Sequence, residues 1–419
     1  MSRPAPDLAA LIARRRPGYT LEAPFYTDPA IFEADLEHIF YRHWIYVGVE
    51  PDIPEPGDYM TVEIGRAALV LVRDDAGEVR AFHNVCRHRG ARILSERKGM
   101  TGNLVCPYHQ WTYDLGGRLI LANHMDEDFD RACHGLRPVA IKSAGGLLFV
   151  CLAEEPPADF DEAAALIERY TAPFDLRNAR IAHEEELIEA GNWKLTMENS
   201  RECYHCNVNH PELTQSLFEY GFGFSPADAG PELLEQARAF ETAEAEFNTI
   251  WRRCGWPLAA IEHLDDRPSG FRIQRLPIAG AGESQTLDTR IACRRLLGTL
   301  TERKLGDLSI WTQPNSWHHF MSDHIVTFSV LPLAPDRTLL RTKWLVHREA
   351  VEGVDYDLKK LTEVWQATNE QDGALVARTQ AGVESAGYVP GPYSPHTEGL
   401  VEKFTTWYVR ELAAGLGLA

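Results

Sequence analysis

The sequence predicts an α+β protein in which a small all-β domain is followed by a larger mixed domain. Three observations carry this. From Trp44 to about Cys151, short alternating runs are punctuated by turn residues. The Pro-rich stretch Glu154-Glu155-Pro156-Pro157-Ala158-Asp159 then ends that texture. Beyond it, strand-like runs alternate with long helical stretches.

Along the chain, residues up to about 40 read as helical, with Ile31, Leu36, Ile39 and Phe40 forming an apolar stripe. Tyr59-Met60-Thr61-Val62-Glu63-Ile64, Ala68-Leu69-Val70-Leu71-Val72 and Leu147-Leu148-Phe149-Val150 read as strands, separated by Pro56-Gly57, Asp75-Ala76-Gly77 and Gly116-Gly117 turns. In the second half, strands are expected over 183–188 and 324–333, and helices over about 192–205 and 356–380. This divides the chain into 1–43, 44–155 and 160–419.

Composition narrows the function. The 419 residues hold 42 Lys and Arg against 61 Asp and Glu, a net charge of −19, which repels nucleic acid and anionic membranes. Such a surface suits a cationic substrate or a docking partner with a basic face. No run approaches the roughly 20 apolar residues that span a bilayer. Arg14-Arg15-Arg16 has no apolar segment after it, so it is not read as an export signal, and a cytoplasmic protein is expected. Eight cysteines then suggest thiols and metal ligands rather than a disulfide framework.

Within the β-domain stand Cys86-Arg87-His88 and, 17 residues on, Cys106-Pro107-Tyr108-His109. Two thiolates and two imidazoles suit either zinc or an iron–sulfur centre. Matched Cys-before-His pairs favour the latter, because two cysteines can hold one iron and two histidines the other. Gly90 and Pro107 are expected to let the loops bend around a cluster. These segments resemble the Rieske family, whose pattern is Cys-x-His, 15 to 17 residues, Cys-x-x-His.

A second constellation lies in Asn192-Trp193-Lys194-Leu195-Thr196-Met197-Glu198-Asn199-Ser200-Arg201-Glu202-Cys203-Tyr204-His205-Cys206. On a helix, Asn199, Glu202 and His205 would share a face, and a turn through Asn207-Val208-Asn209 can fold His210 back beside them. Two imidazoles and a distant carboxylate make the facial triad of a non-haem Fe(II) oxygenase. Asp372, at helical spacing from Trp365, Asn369 and Val376, is the expected carboxylate; Glu370 points about 160° away. Cys203-x-x-Cys206 is also compatible with a redox thiol pair or half a zinc site.

Glu202-x-x-His205-x4-His210 resembles the catalytic domain of Rieske oxygenases, and Asp372 falls where that family has its third ligand. The resemblance spans essentially the whole chain. It implies a helix-grip catalytic domain with an antiparallel sheet, against which the N-terminal segment packs. It also implies a [2Fe–2S] cluster on Cys86, His88, Cys106 and His109 and a mononuclear iron on His205, His210 and Asp372. Dioxygen would be the co-substrate, and NAD(P)H would act through a separate flavin and iron–sulfur reductase.

In the family, the residue at Glu202 links a Rieske histidine of one subunit to an iron-ligating histidine of the next, which implies a homotrimer. Most ring-hydroxylating members carry Asp there, whereas Glu marks members acting on quaternary amines. Glu198-Asn199-x-x-Glu202-Cys203-Tyr204-His205-Cys206 resembles the glycine betaine, choline and carnitine oxygenases, and Gly382-Val383-Glu384-Ser385 and Tyr388-Val389-Pro390-Gly391-Pro392-Tyr393 resemble the glycine betaine demethylase group. The implied reaction is hydroxylation of an N-methyl group, with glycine betaine first and proline betaine second. The alternatives are a carnitine or choline monooxygenase and an aromatic-ring dioxygenase.

A trimethylammonium head is recognised by aromatic faces and carboxylates. Tyr220, Phe222, Trp251, Trp256, Trp311, Trp317 and Phe320 are candidates for such a cage. Arg272, Arg275 and Arg290 are candidates for a substrate carboxylate. Asn199 and Trp365 are expected to position the iron ligands.

Overall fold

The computed structural model describes residues 7–225, 227 and 230–418. Strands β1 (Ile45–Val49), β2 (Asp58–Ile64), β3 (Ala67–Arg73), β4 (Val79–His83), β5 (Lys98–Met100), β6 (Leu104–Val105), β7 (Thr112–Tyr113), β8 (Leu119–Leu121), β9 (Ala140–Ala144) and β10 (Leu147–Cys151) form three small antiparallel sheets. Their orders are β1-β10-β9, β4-β3-β2-β5 and β6-β7-β8. Alternation along β2 and β3 sends Met60, Val62, Ile64, Leu69 and Leu71 towards the core of the larger domain. Tyr59, Val70 and Val72 face the other way, onto Cys86, Cys106, Trp111 and Tyr113. One sheet thus joins the cysteine loops to the rest of the molecule.

The larger domain is built on a seven-stranded antiparallel sheet. It comprises β11 (Ala179–Glu189), β12 (Ile261–His263), β13 (Phe271–Leu276), β14 (Asp307–Thr312), β15 (Ser316–Phe320), β16 (His324–Ala334) and β17 (Arg337–His347), in the order β11-β17-β16-β15-β14-β13-β12. One face carries Ile310, Phe320, Ile325 and Leu345 against Phe149 of β10 and the helix Phe160–Thr171. The other carries Val326, Phe328 and Val330 towards the helices Trp193–Asn199, Leu358–Val383 and Gly399–Gly415.

The expected helix over 192–205 is shorter than the spacing suggested. Asn192 caps it by accepting a 3.1 Å bond from Lys194 N, and it ends at Asn199. Ser200 N and Arg201 N then bond back to Thr196 O and Glu198 O, turning the chain out of the helix. The helix expected over 356–380 runs over Leu358–Val383, with Asp357 accepting from Lys360 N at 2.9 Å. It lies close to the turn before Trp193 because residue 191 is glycine. A Cβ there would come within 2.5 Å of Val376 Cγ1.

The N-terminal segment is broken into Leu8–Ala13, Pro24–Thr27 and Pro29–Asp35, the last running on into a π-helical turn over Leu36–Phe40, rather than being one continuous stretch. Its polar groups tie it to the larger domain. Arg15 donates to Glu402 (2.9 Å) and Tyr26 Oη to Glu198 (2.9 Å), while Trp193 Nε1 (3.0 Å), Tyr408 Oη (2.6 Å) and Lys194 all donate to the buried Asp35.

A buried ionic network crosses from the small sheets to the large one. Asp52, just after β1, accepts from Lys98 of β5 and Lys343 of β17, each at 2.5 Å. Lys98 also reaches Glu184 of β11 at 2.8 Å. Burial works against the Asp52 charge, but the two ammonium groups outweigh it and hold the carboxyl below its ordinary pKa. No helix among the described residues is long and apolar enough to cross a membrane.

Candidate functional site

The two Cys–His segments form matched loops. Cys86 N donates to Ala91 O (2.8 Å) and Cys86 O accepts from Gly90 N (3.0 Å). Cys106 N donates to Trp111 O (2.8 Å) and Cys106 O accepts from Gln110 N (3.1 Å). Both loops turn at the fourth residue after cysteine, through positive φ at Gly90 (76°) and Gln110 (60°). The bend of the second loop is therefore made at Gln110 rather than at Pro107.

Cys86 and Cys106 are buried, whereas His88 and His109 are exposed with ring centroids 4.7 Å apart. His88 stacks on Trp111 (4.8 Å) and His109 on Tyr108 (3.8 Å). Tyr113 Oη lies 3.3 Å from Cys86 Sγ. Two sulfurs at the base and two imidazoles at the rim fit a [2Fe–2S] cluster with one iron inward and one outward.

The second site is assembled from the turn after Asn199, the short helix Cys206–Asn209 and the middle of Leu358–Val383. His205 Nε2 and His210 Nε2 lie 3.3 and 3.0 Å from Asp372 Oδ1. Each imidazole is held by its other nitrogen. His205 Nδ1 contacts Glu202 Oε1 at 2.5 Å, and His210 Nδ1 contacts Gln371 Oε1 at 2.7 Å, with Gln371 Nε2 donating to Glu212 at 2.8 Å. His210 Nε2 and Asp372 Oδ1 are buried without a hydrogen-bond partner of good geometry. Two nitrogens and one oxygen aimed at a common point, with both imidazoles steadied from behind, fit a ferrous ion with open positions.

Charge follows the same geometry. Burial disfavours a charged His205, yet its bonds to Asp372 and Glu202 outweigh that and raise its pKa to about 9. Burial opposes the Asp372 carboxylate, but His205 and His210 hold it below the ordinary value. Glu189 lies nearby, pushed up to about 7 by burial despite a hydrogen bond from Thr196. Asn199 Nδ2 is 3.5 Å from His205 Nε2. Cys206 Sγ is close to both histidines but is bonded to Cys203 Sγ, so that sulfur is not a free thiolate donor. The expected redox thiol pair at Cys203-x-x-Cys206 is thus closed as a disulfide, and the other six cysteines are free.

A cavity of about 250 Å³ opens onto these residues, small beside the roughly 300–1,000 Å³ typical of drug-sized ligands. Of the expected cage, Phe222, Trp311 and Trp317 line it. Trp251 and Phe320 are fully buried in the core on the opposite face of the sheet, and Trp256 packs against them. Tyr220 packs on Phe224 and Phe240. Phe218 and Phe240 line the cavity although the sequence did not mark them.

Trp365 also lines the cavity, stacks on His319 (4.8 Å) and donates to Gln285 Oε1 at 2.9 Å. His319 in turn is bonded to Asp307 at 2.6 Å. Of the expected arginines, only Arg272 reaches the cavity. Arg275 sits 3.3 Å over Trp251 and donates to Pro257 O, and Arg290 is exposed. Arg201, unmarked in the sequence, lines the cavity from the turn between Asn199 and Glu202.

Residues 43–140 match the Rieske [2Fe–2S] domain, and residues 176–414 match the ring hydroxylating alpha subunit (catalytic domain). The chain belongs to this family: it is a Rieske-type non-haem iron oxygenase, an enzyme that takes a [2Fe–2S] cluster, a mononuclear iron and dioxygen. Within the family it is 46% identical over 406 residues to the glycine betaine monooxygenase oxygenase subunit of Chromohalobacter salexigens. That match covers 96% of this chain and 88% of the relative. It is 42% identical over 411 residues to the Pseudomonas aeruginosa protein of that name, covering 98% and 92%. In fold it is similar to a quaternary ammonium Rieske monooxygenase (TM-score 0.70, 22% identity, 96% of this chain and 98% of that one).

Proposed function

We propose that this chain is the oxygenase component that hydroxylates an N-methyl carbon of a betaine-type quaternary amine, glycine betaine first and proline betaine second. The observation that carries the reading is the small aromatic-lined cavity opening directly onto His205, His210 and Asp372. An N-methyl cation offers no hydrogen bond, so aromatic faces such as Trp317 and Phe222 are the surfaces that retain it. The similarity to glycine betaine monooxygenase subunits over nearly the whole chain supports the same substrate class.

In this reading Cys86, Cys106, His88 and His109 would hold the cluster, which would supply electrons singly. His205, His210 and Asp372 would hold the mononuclear iron, which would supply activation of dioxygen. Glu202 fixes the His205 ring through Nδ1, and Gln371 fixes His210 in the same way. Trp365 and Asn199 keep the ligands and the cavity wall in register.

The exposed rim of His88 and His109 suits docking against another copy. In a homotrimer, Glu202 would face His109 of the partner subunit, making the electron path an inter-subunit one. Two electrons from NAD(P)H, delivered by a flavin and iron–sulfur reductase, and two protons complete the balance. One oxygen atom enters the methyl C–H bond and the other leaves as water. The resulting carbinolamine breaks its C–N bond, giving formaldehyde, a proton and the dimethylamine. Residues 44–155 and 160–419 form the electron-transfer and catalytic units of a cytoplasmic enzyme.

The test is a single turnover of the reduced, purified protein with glycine betaine, proline betaine, carnitine and choline. Formaldehyde stoichiometric with a betaine is expected. Its absence from all four, with iron and cluster present, would sink the demethylase reading.

A further inference from the structure

Arg201 is the anomaly of the cavity. It is 1% exposed, and among the described residues its guanidinium makes one hydrogen bond, from Nη2 to Gln313 Oε1 at 3.1 Å. Nε and Nη1 are buried without a partner. Its guanidinium lies 4.9 Å from the centre of the Trp311 ring, and that of Arg272 lies 4.7 Å from the same ring. Both arginines line the cavity.

Among the described residues neither is in a salt bridge with a carboxylate. The charge that acts most on Arg201 after burial is that of Arg272, which is of the same sign. The acid nearest Arg272 in effect is Glu262, already engaged by Lys403 and by Leu264 N. Burial, aided at Arg201 by this repulsion, lowers the two guanidinium pKa values to about 9 and about 10. Paired cations buried without a counter-ion are expensive, and a protein retains them where a ligand supplies the anion.

We propose that Arg201 and Arg272, both packed on Trp311, form the receptor for the substrate's carboxylate, so that the ligand class is a short zwitterion rather than a simple onium ion. The proposal rests on the betaine reading above and deepens it. Arg201 precedes Glu202 by one residue and His205 by four, on a turn that leaves little slack. The anion is therefore held at a fixed span from the iron ligands. The forked donors of an arginine suit a planar carboxylate in two-point contact. An onium head placed by a carboxylate at that span meets the remaining aromatic wall, Trp317 and Phe222. Choline, with the same head and a hydroxyl in place of the anion, leaves the two guanidiniums uncompensated.

The experiment compares the holoenzyme with Arg201→Gln and Arg272→Gln, reading both melting temperature and turnover. Without substrate each variant is expected to melt at or above the wild-type temperature, because an uncompensated buried charge has been removed. Glycine betaine should raise the melting temperature of the wild type and leave the variants unmoved. The variants' kcat/KM for glycine betaine should fall about 100-fold, mainly through KM, and their preference for glycine betaine over choline should collapse.

Variants that melt lower and still bind glycine betaine with unchanged KM would make the arginines structural and overturn the proposal. Arg272 lies on a strand and is less deeply buried than Arg201, so its variant decides the matter if Arg201→Gln fails to fold. A wild-type enzyme with neither a melting response nor formaldehyde from any betaine would instead overturn the betaine reading beneath it.

Discussion

The two proposed metal sites are built in opposite ways. Each loop of the cluster site closes on itself within six residues, through the same pair of backbone hydrogen bonds, and leaves its histidine in solvent. The iron site draws its atoms from a turn, a four-residue helix and a distant helix, and steadies each imidazole with a residue from elsewhere in its shell. A locally closed loop keeps its shape even when its tip is exposed, which suits a group that must meet a partner. A site assembled from remote segments gains a shielded interior, which suits oxygen chemistry, but depends on the whole domain being folded.

That contrast can be broken most severely at Asp372. Asp372→Ala is expected to lose the mononuclear iron and on the order of 1000-fold or more in turnover, yet to keep the cluster's visible absorption. Metal analysis alongside the spectrum checks it, and a simultaneous loss of cluster would mean the sites are not independent. Glu202→Ala comes next. It should keep both metals while slowing coupled turnover about 100-fold, seen as slow re-oxidation of the reduced cluster in a single turnover. Undiminished activity would remove Glu202 from the electron path.

Lys343→Met addresses the joint between the two regions. Removing one partner of a buried ion pair typically costs about 3–5 kcal/mol. Because Lys98 still faces Asp52, a smaller loss of about 2 kcal/mol is expected in denaturant titrations. Unchanged stability would mean that the network does not bind the small sheets to the large one.

The same contrast governs what could be read from the sequence. Cys86, His88, Cys106 and His109 were legible because loop closure is local, so spacing alone carries the geometry. Asp372 was legible because a long regular helix makes its inward face calculable from Trp365 and Asn369. The stretch from Asn199 to His205 was half legible. Spacing by three fits a helix and a succession of turns equally well, and only the back-bonds at Ser200 and Arg201 show that the chain turns.

Arg201 was not legible at all. A lone arginine between serine and glutamate reads as surface, and only tertiary packing buries it. The aromatic candidates failed for a related reason. Trp251, Trp256 and Phe320 have the chemistry of a cage but sit on the other side of the sheet, Phe320 by its place in the alternation of β15 and the two tryptophans by the packing of the helix Pro231–Cys254 and the turn after it. Gln371 escaped notice because an amide next to the expected carboxylate carries no signal of its own until His210 is seen against it.

The attachment of the N-terminal segment has a consequence in time. Asp35 is held by Trp193, Lys194 and Tyr408, and Arg15 by Glu402, so the N-terminal segment is completed by residues of the helix Gly399–Gly415, made much later. At roughly 5–20 residues per second, a ribosome takes between about twenty seconds and somewhat over a minute to pass from one to the other. Phe40 gains its cover when Trp193 is made, 4.9 Å away between ring centroids, but the helix Gly399–Gly415 comes later still. The apolar stripe of Ile31, Phe32, Ile39 and Phe40 is therefore covered in stages, and it waits longest for the surface that Phe404, Trp407 and Tyr408 supply.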